Sequence, residues 1–77
     1  MEPVDGNAIA GDLAAEFGKD MTAVSGRCQS CGAVATVAEL RVYVSGPGTV
    51  GRCTSCGSVL VVIAAGRVTL VGVDLLA

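Results

Sequence analysis

Histidine and tryptophan are both absent from this 77-residue chain, and aromatic side chains are reduced to Phe17 and Tyr43. Without histidine the commonest general base is missing, and so is the usual partner of a serine or cysteine nucleophile. With so few rings there is little surface on which nucleotide bases could stack. No apolar run approaches the roughly 20 residues that a membrane-spanning helix needs. The glycine-rich stretch Gly46-Pro47-Gly48 lacks the lysine and the following helix of a phosphate-cradling loop. Asp5 and Asp12 are read as a helix cap and a solvated carboxylate rather than as an acid/base pair. Catalysis by the isolated chain is not expected.

A basic surface is also missing. The formal net charge is −2. Within residues 1–20, Glu2, Asp5, Asp12, Glu16 and Asp20 stand against Lys19, a balance of −4. Residues 21–77 carry Arg27, Arg41, Arg52 and Arg67 against Glu39 and Asp74, a balance of +2. A nucleic-acid binder normally displays a cationic patch to neutralise phosphates, so that class is disfavoured.

What the chain does contain is one phrase written twice. Gly26-Arg27-Cys28-Gln29-Ser30-Cys31-Gly32 and Gly51-Arg52-Cys53-Thr54-Ser55-Cys56-Gly57 lie 25 positions apart and hold all four cysteines. Two residues between cysteines let the chain turn once, so that both sulfurs face one point. Two such knuckles complete a tetrahedral shell, and Cys28, Cys31, Cys53 and Cys56 are the expected ligands of one zinc ion. Gly32 and Gly57 follow the second cysteine of each knuckle, where a positive φ lets the chain leave without a Cβ clash. The 21 residues between Cys31 and Cys53 are enough for a strand, a turn and a returning strand.

Paired disulfides are the rival use of four cysteines, and they need an oxidising compartment. The opening Met1-Glu2-Pro3-Val4-Asp5 is acidic, and no apolar segment with a small-residue cleavage site follows it. A cytoplasmic location with reduced thiols is the expectation. A redox-active Cys-x2-Cys is a further alternative. Binding a divalent ion through four thiolates makes the region after Met21 neutral and brings the whole chain to about −4. Arg27 and Arg52 precede the first cysteine of each knuckle. They either offset the anionic centre and cover apolar surface with their stems, or contact an acidic or phosphate group on a partner.

At this length an apolar core alone supplies only about 3 to 5 kcal/mol, so a staple is expected. The predicted fold is small α+β: a zinc ribbon of two Cys-x2-Cys-Gly knuckles with antiparallel β-hairpins, preceded by one short helix. Residues 1–20 are expected to form an amphipathic helix packing on the sheet, and residues 21–77 the ribbon, within one structural domain. Asp5 is placed as N-cap, Ile9, Leu13 and Phe17 form the apolar stripe, and Gly18 is the stop. Gly6 and Gly11 each weaken the isolated helix by roughly 1 kcal/mol.

After a polar break at Lys19 and Asp20, Met21–Ser25 reads as an extended lead into the first knuckle. Ala33–Ala38 and Leu40–Val44 read as strands, Ser45-Gly46-Pro47-Gly48 as a turn, and Thr49–Val50 as the return. Ser58–Ala65 and Arg67–Leu75 read as a final hairpin about Ala65-Gly66. Along its first strand Val59, Val61 and Ile63 alternate with Leu60, Val62 and Ala64, giving apolar residues on both faces. One helix covers only one face. The other is expected to meet a second copy or another protein, and a homodimer through the Val59–Ile63 strand, with help from Val71, Val73 and Leu75, is the form considered.

The order Asp5-Gly6-Asn7-Ala8, Ala10-Gly11, Leu13, Phe17-Gly18, Asp20, Thr22, then Gly26-Arg27-Cys28 with Cys31-Gly32 and Arg52-Cys53 with Cys56-Gly57, resembles a family of small actinobacterial zinc-ribbon-type proteins of uncharacterised function. The resemblance runs from Asp5 to about Asp74. It implies a cytoplasmic protein with a zinc site at Cys28, Cys31, Cys53 and Cys56 and no established activity. Knuckles of this kind often place proline after the first cysteine, and Thr54 departs from that habit.

Three functions fit. One is a structural zinc ribbon serving as an accessory or protein-interaction module. A second is a rubredoxin-like iron electron carrier for an oxidoreductase; such proteins pack several aromatic rings about the iron, which this chain lacks. The third is a nucleic-acid-associated ribbon.

Overall fold

The computed structural model describes residues 3–45 and 48–76 of the chain. Gly46 and Pro47, at the centre of the expected turn, lie outside the described residues. On either side of them Ser45 and Gly48 pair across the strands, and the Ser45 hydroxyl donates to the Gly48 carbonyl at 2.9 Å.

The chain begins with a single bridge, Val4 to Val42, made by two hydrogen bonds of 2.8 and 2.7 Å. Asp5 then caps as expected, its carboxylate accepting from the Asn7 N–H at 3.0 Å. The first turn, Gly6–Ile9, is wound as a 3₁₀ helix, and helix α1 follows over Ala10–Phe17. It ends at Gly18, whose φ is 75° and whose N–H bonds the Ala14 carbonyl at 2.8 Å. Of the predicted stripe, Ile9 and Leu13 are buried, whereas Phe17 at the last position of the helix is 39 % exposed.

Met21 to Val24 is a turn rather than the expected extended lead. Asp20 accepts from the Thr22 N–H at 2.9 Å and from its hydroxyl at 2.7 Å, and the Val24 N–H returns to the Met21 carbonyl. This buries Met21 against the helix stripe.

Among the described residues seven strands follow: β1 Ser25–Cys28, β2 Val34–Thr36, β3 Arg41–Ser45, β4 Gly48–Arg52, β5 Val59–Ala64, β6 Arg67–Leu70 and β7 Val73–Leu76. All pairings are antiparallel, in two sheets of order β2-β1-β7 and β3-β4-β5-β6. The fold is thus a small α+β arrangement with one N-terminal helix and the four cysteines drawn together as in a zinc ribbon.

Two strands differ from expectation. The predicted strand Ala33–Ala38 stops at Thr36, where Thr36 and Glu39 form a capping box around a 3₁₀ turn, Val37–Glu39, with the Glu39 carboxylate accepting from the Thr36 N–H at 2.9 Å. The predicted strand Arg67–Leu75 breaks at Val71-Gly72, because both amides turn back to the Leu60 carbonyl, at 3.0 and 3.3 Å. Its second half, β7, leaves the hairpin and pairs with β1. The last segment therefore ties the two sheets together.

The larger core cluster is Ile9, Leu13, Met21, Val37, Val42, Val61 and Ile63, with Val24, Leu40, Val68 and Leu75 packed against it. Helix α1 enters it through Leu13, and the three-stranded sheet reaches it through Leu75 of β7, on the side of the four-stranded sheet that carries Val42, Val61 and Ile63. No helix among the described residues is long and apolar enough to cross a membrane.

Gly6 sits so close to the 3₁₀ turn that a Cβ there would overlap the Val37 carbonyl, whereas a Cβ at Gly11 would meet open space. Opposite outcomes are expected. Gly6→Ala should destabilise the protein by about 2 kcal/mol through overpacking, and Gly11→Ala should stabilise it by about 0.5 to 1 kcal/mol through helix propensity. Denaturant midpoints of the two variants check this; equal shifts would show that the N-terminal turn does not pack as described.

Candidate metal centre

The two knuckles are built alike. In the first, the Cys28 N–H bonds the Ala33 carbonyl and the Gly32 N–H bonds the Cys28 carbonyl, both at 2.9 Å. In the second, Cys53 N–H to Ser58 carbonyl and Gly57 N–H to Cys53 carbonyl repeat both bonds at 2.9 Å. Gly32 has φ 77° and Gly57 φ 79°. A Cβ at either position would meet no neighbour within 4 Å, so what glycine supplies there is the backbone angle, not space.

The first knuckle joins β1 to β2 and so belongs to the three-stranded sheet; the second joins β4 to β5 in the four-stranded sheet. They meet at the sulfurs. All four Sγ atoms lie within 4.8 Å of one another, with Cys28 to Cys56 at 3.6 Å and Cys31 to Cys53 at 3.7 Å. A tetrahedron with metal–sulfur bonds of about 2.3 Å has edges of about 3.8 Å, so the cluster can hold a metal ion. A disulfide requires about 2.05 Å between sulfurs, and all four cysteines are free.

Each knuckle buries its first cysteine and exposes its second. Cys28 and Cys53 pack with Leu60 in a second apolar cluster, flanked by Ala33, Leu40 and Val73. Leu60 reaches this place through a β-bulge. Gly51 pairs with Val61 and Arg52 with Val59, so Leu60 is the extra residue of β5. This corrects the expected alternation: Leu60 does not share an outward face with Val62 and Ala64 but is 3 % exposed beside the sulfurs. Val61 and Ile63 are likewise buried within the chain's own core.

Four sulfurs this close cannot all ionise without a cation among them. The Cys56 thiol is pulled down to about 6, first by the Ser58 hydroxyl 3.2 Å away and then by the Ser58 backbone N–H. Cys53 is also lowered, by the backbone amides of Cys56 and Ser55, the latter 3.3 Å from its sulfur. At Cys31 the Ala33 amide favours the thiolate, yet desolvation and hydrogen bonds with the other three sulfurs prevail and push it up to about 12. Backbone donors thus favour negative charge in the second knuckle, and crowding keeps the proton on Cys31 until a cation displaces it.

The knuckle arginines are not equivalent. The Arg52 guanidinium donates to the Gly57 carbonyl at 2.7 Å and lies 6.0 Å over the Tyr43 ring, bracing the exit of the second knuckle. Arg27 stands between Val34 and Asp74 on neighbouring strands. Asp74 also accepts from the Gln29 side chain at 3.0 Å, which ties β7 to the first knuckle. Two contributors escaped the sequence reading. Ser58 was visible as the residue matching Ala33 in the other knuckle, and its hydroxyl is what the first knuckle lacks. Leu60 could not be found without the bulge.

The molecule is therefore a small α+β protein whose two Cys-x2-Cys-Gly knuckles form a four-cysteine cluster able to hold a metal ion. The chain belongs to the Family of unknown function (DUF6510), whose model matches residues 1–75. Neither the curated proteins nor the solved structures contain a match to it.

Protons and metal compete for these sulfurs, so affinity falls as pH falls. Removing the Ser58 hydroxyl raises the Cys56 thiol toward its ordinary value. Ser58→Ala should therefore release bound metal at a higher pH than the parent protein, measured as metal in the filtrate across an acid titration. An unchanged midpoint would mean that the hydroxyl does not support the Cys56 thiolate.

Proposed function

We propose that the four cysteines hold one zinc ion and that the ion is structural. The reading rests on one observation: the two knuckles belong to different sheets and meet at their sulfurs, with the apolar residues of one small cluster around them. An ion bound there clasps the sheets to one another. Four thiolate ligands close the shell, leaving no position for a water to be activated. Together with the lack of histidine, this favours an accessory or protein-interaction module of the cytoplasm over an enzyme. Zinc is preferred to iron because soft thiolates suit both metals, while an electron-transfer centre would be expected among aromatic rings and the cluster's apolar neighbours are aliphatic.

The energetics agree. Structural zinc contributes roughly 10 to 16 kcal/mol of apparent binding free energy, more than a core of this size provides. Untagged protein purified from metal-replete cells should be colourless, with one zinc per chain by elemental analysis. Complete chelation should collapse the amide dispersion of the region after Met21. A red protein containing iron would replace the zinc reading with the electron-carrier one. Retention of a dispersed spectrum with all four thiols unliganded would remove the structural role.

A further inference from the structure

Between Glu39 and Asp74 the chain has three arginines, Arg41, Arg52 and Arg67, and no carboxylate. Strand register puts all three on one side of the four-stranded sheet. Arg41 and Arg52 are direct cross-strand partners on β3 and β4. Tyr43 faces Val50, Val50 faces Val62, and Arg67 stands opposite Ala64, two residues beyond Val62. Side chains alternate along a strand, so Tyr43, Val50 and Val62 share this side with the arginines, while Val42, Val61 and Ile63 turn to the core. The guanidinium of Arg52 above the Tyr43 ring agrees with that placement. The arginines are exposed and the three apolar side chains half-buried. Helix α1 and the three-stranded sheet pack on the opposite side.

Like charges directly opposite one another on adjacent strands repel, so folding alone does not reward Arg41 beside Arg52. The Gly57 carbonyl, which accepts from the Arg52 guanidinium, offsets part of this. Arg67 has no such neighbour, standing roughly 17 Å away at the far end of β5 and β6. The face is an apolar centre between two cationic ends.

We propose that this face docks a partner protein through a short acidic segment that carries an apolar side chain between its carboxylates. The inference rests on the reading of the chain as an interaction module and supplies the chemistry of its partner. Arg52 and the row of Arg67 are four residues apart along the strands, roughly 13 Å. An extended segment with carboxylates at positions i and i+4 covers the distance along the strands and lays residue i+2 over Val50 and Val62, and the long glutamate and arginine side chains close the remaining few ångströms across the strands. Nucleic acid fits less well: the chain is acidic overall, Asp12 and Glu16 are exposed on α1, and Tyr43 is the face's one ring. A second copy docking by the same face would set arginines against arginines.

The test is an amide chemical-shift titration of the metal-loaded full chain with the acetylated and amidated peptide Glu-Thr-Val-Thr-Glu, followed by metal analysis of the same sample. Shifts should concentrate on Arg41, Tyr43, Val50, Arg52, Val62 and Arg67. They should weaken about tenfold with the glutamine analogue, and by a similar factor in the double variant Arg41→Glu with Arg67→Glu, because both remove the charge pairing. Arg67→Gln alone, remote from the knuckles, should weaken binding several-fold with the spectrum otherwise intact.

Absence of shifts at millimolar peptide, or shifts on another surface, would overturn the proposal. So would stronger binding of a short oligothymidylate at this face, or concentration-dependent shifts there without peptide, which assign it to nucleic acid or to a second copy. A folded, metal-loaded chain that ignores the peptide defeats only the docking surface; a chain that is folded without metal defeats the structural reading beneath it.

Discussion

Four sulfur atoms are the point where two separate sheets converge. The three-stranded sheet carries one knuckle and the four-stranded sheet the other, and no hydrogen-bonded ladder runs between the sheets. They are also linked by the passages of the chain from β2 to β3 and from β6 to β7, by the bond from the Gln29 N–H to the Gly72 carbonyl, and by shared apolar packing with the helix stripe. Each knuckle is individually rigid through two backbone bonds and a left-handed glycine. Together they bring four sulfurs within 4.8 Å of one another, close enough to hold a metal ion.

The bulge in β5 connects this centre to the rest of the core. By inserting Leu60 as an extra residue, it turns one side chain of a continuous apolar run toward the buried sulfurs while its neighbours Val61 and Ile63 stay against the helix. The Leu60 carbonyl, freed from the ladder, receives the amides of Val71 and Gly72 and so redirects the chain into the other sheet. One irregular residue thus packs against the sulfur cluster and sets the path of the last strand.

Charge is sorted across the molecule as firmly as hydrophobicity. Carboxylates concentrate in the first twenty residues, while the outer face of the four-stranded sheet carries Arg41, Arg52 and Arg67. Folding does not require this separation, since either set could be interspersed on a solvated surface. It gives the molecule two unlike sides, with the apolar strip of Tyr43, Val50 and Val62 on the cationic one.

The sequence by itself determined whatever depends on short-range chemistry. The repeated Cys-x2-Cys-Gly phrase marked the four clustered sulfurs, because two intervening residues leave little choice of turn; Asp5 and Gly18 marked the helix ends through their local bonding and backbone freedom; the capping box at Thr36 and Glu39 is equally local, in a stretch whose β propensity points the other way. Tertiary structure alone decided the bulge at Leu60, the break at Val71-Gly72, the transfer of β7 to β1, and the gathering of three arginines on one face. Each of these arises from pairing between residues distant in the chain, and an apolar run such as Val59–Ile63 looks the same whether its register is regular or slipped by one. Ladder contacts of that kind are settled by which strands meet, and no periodicity within a single strand records it.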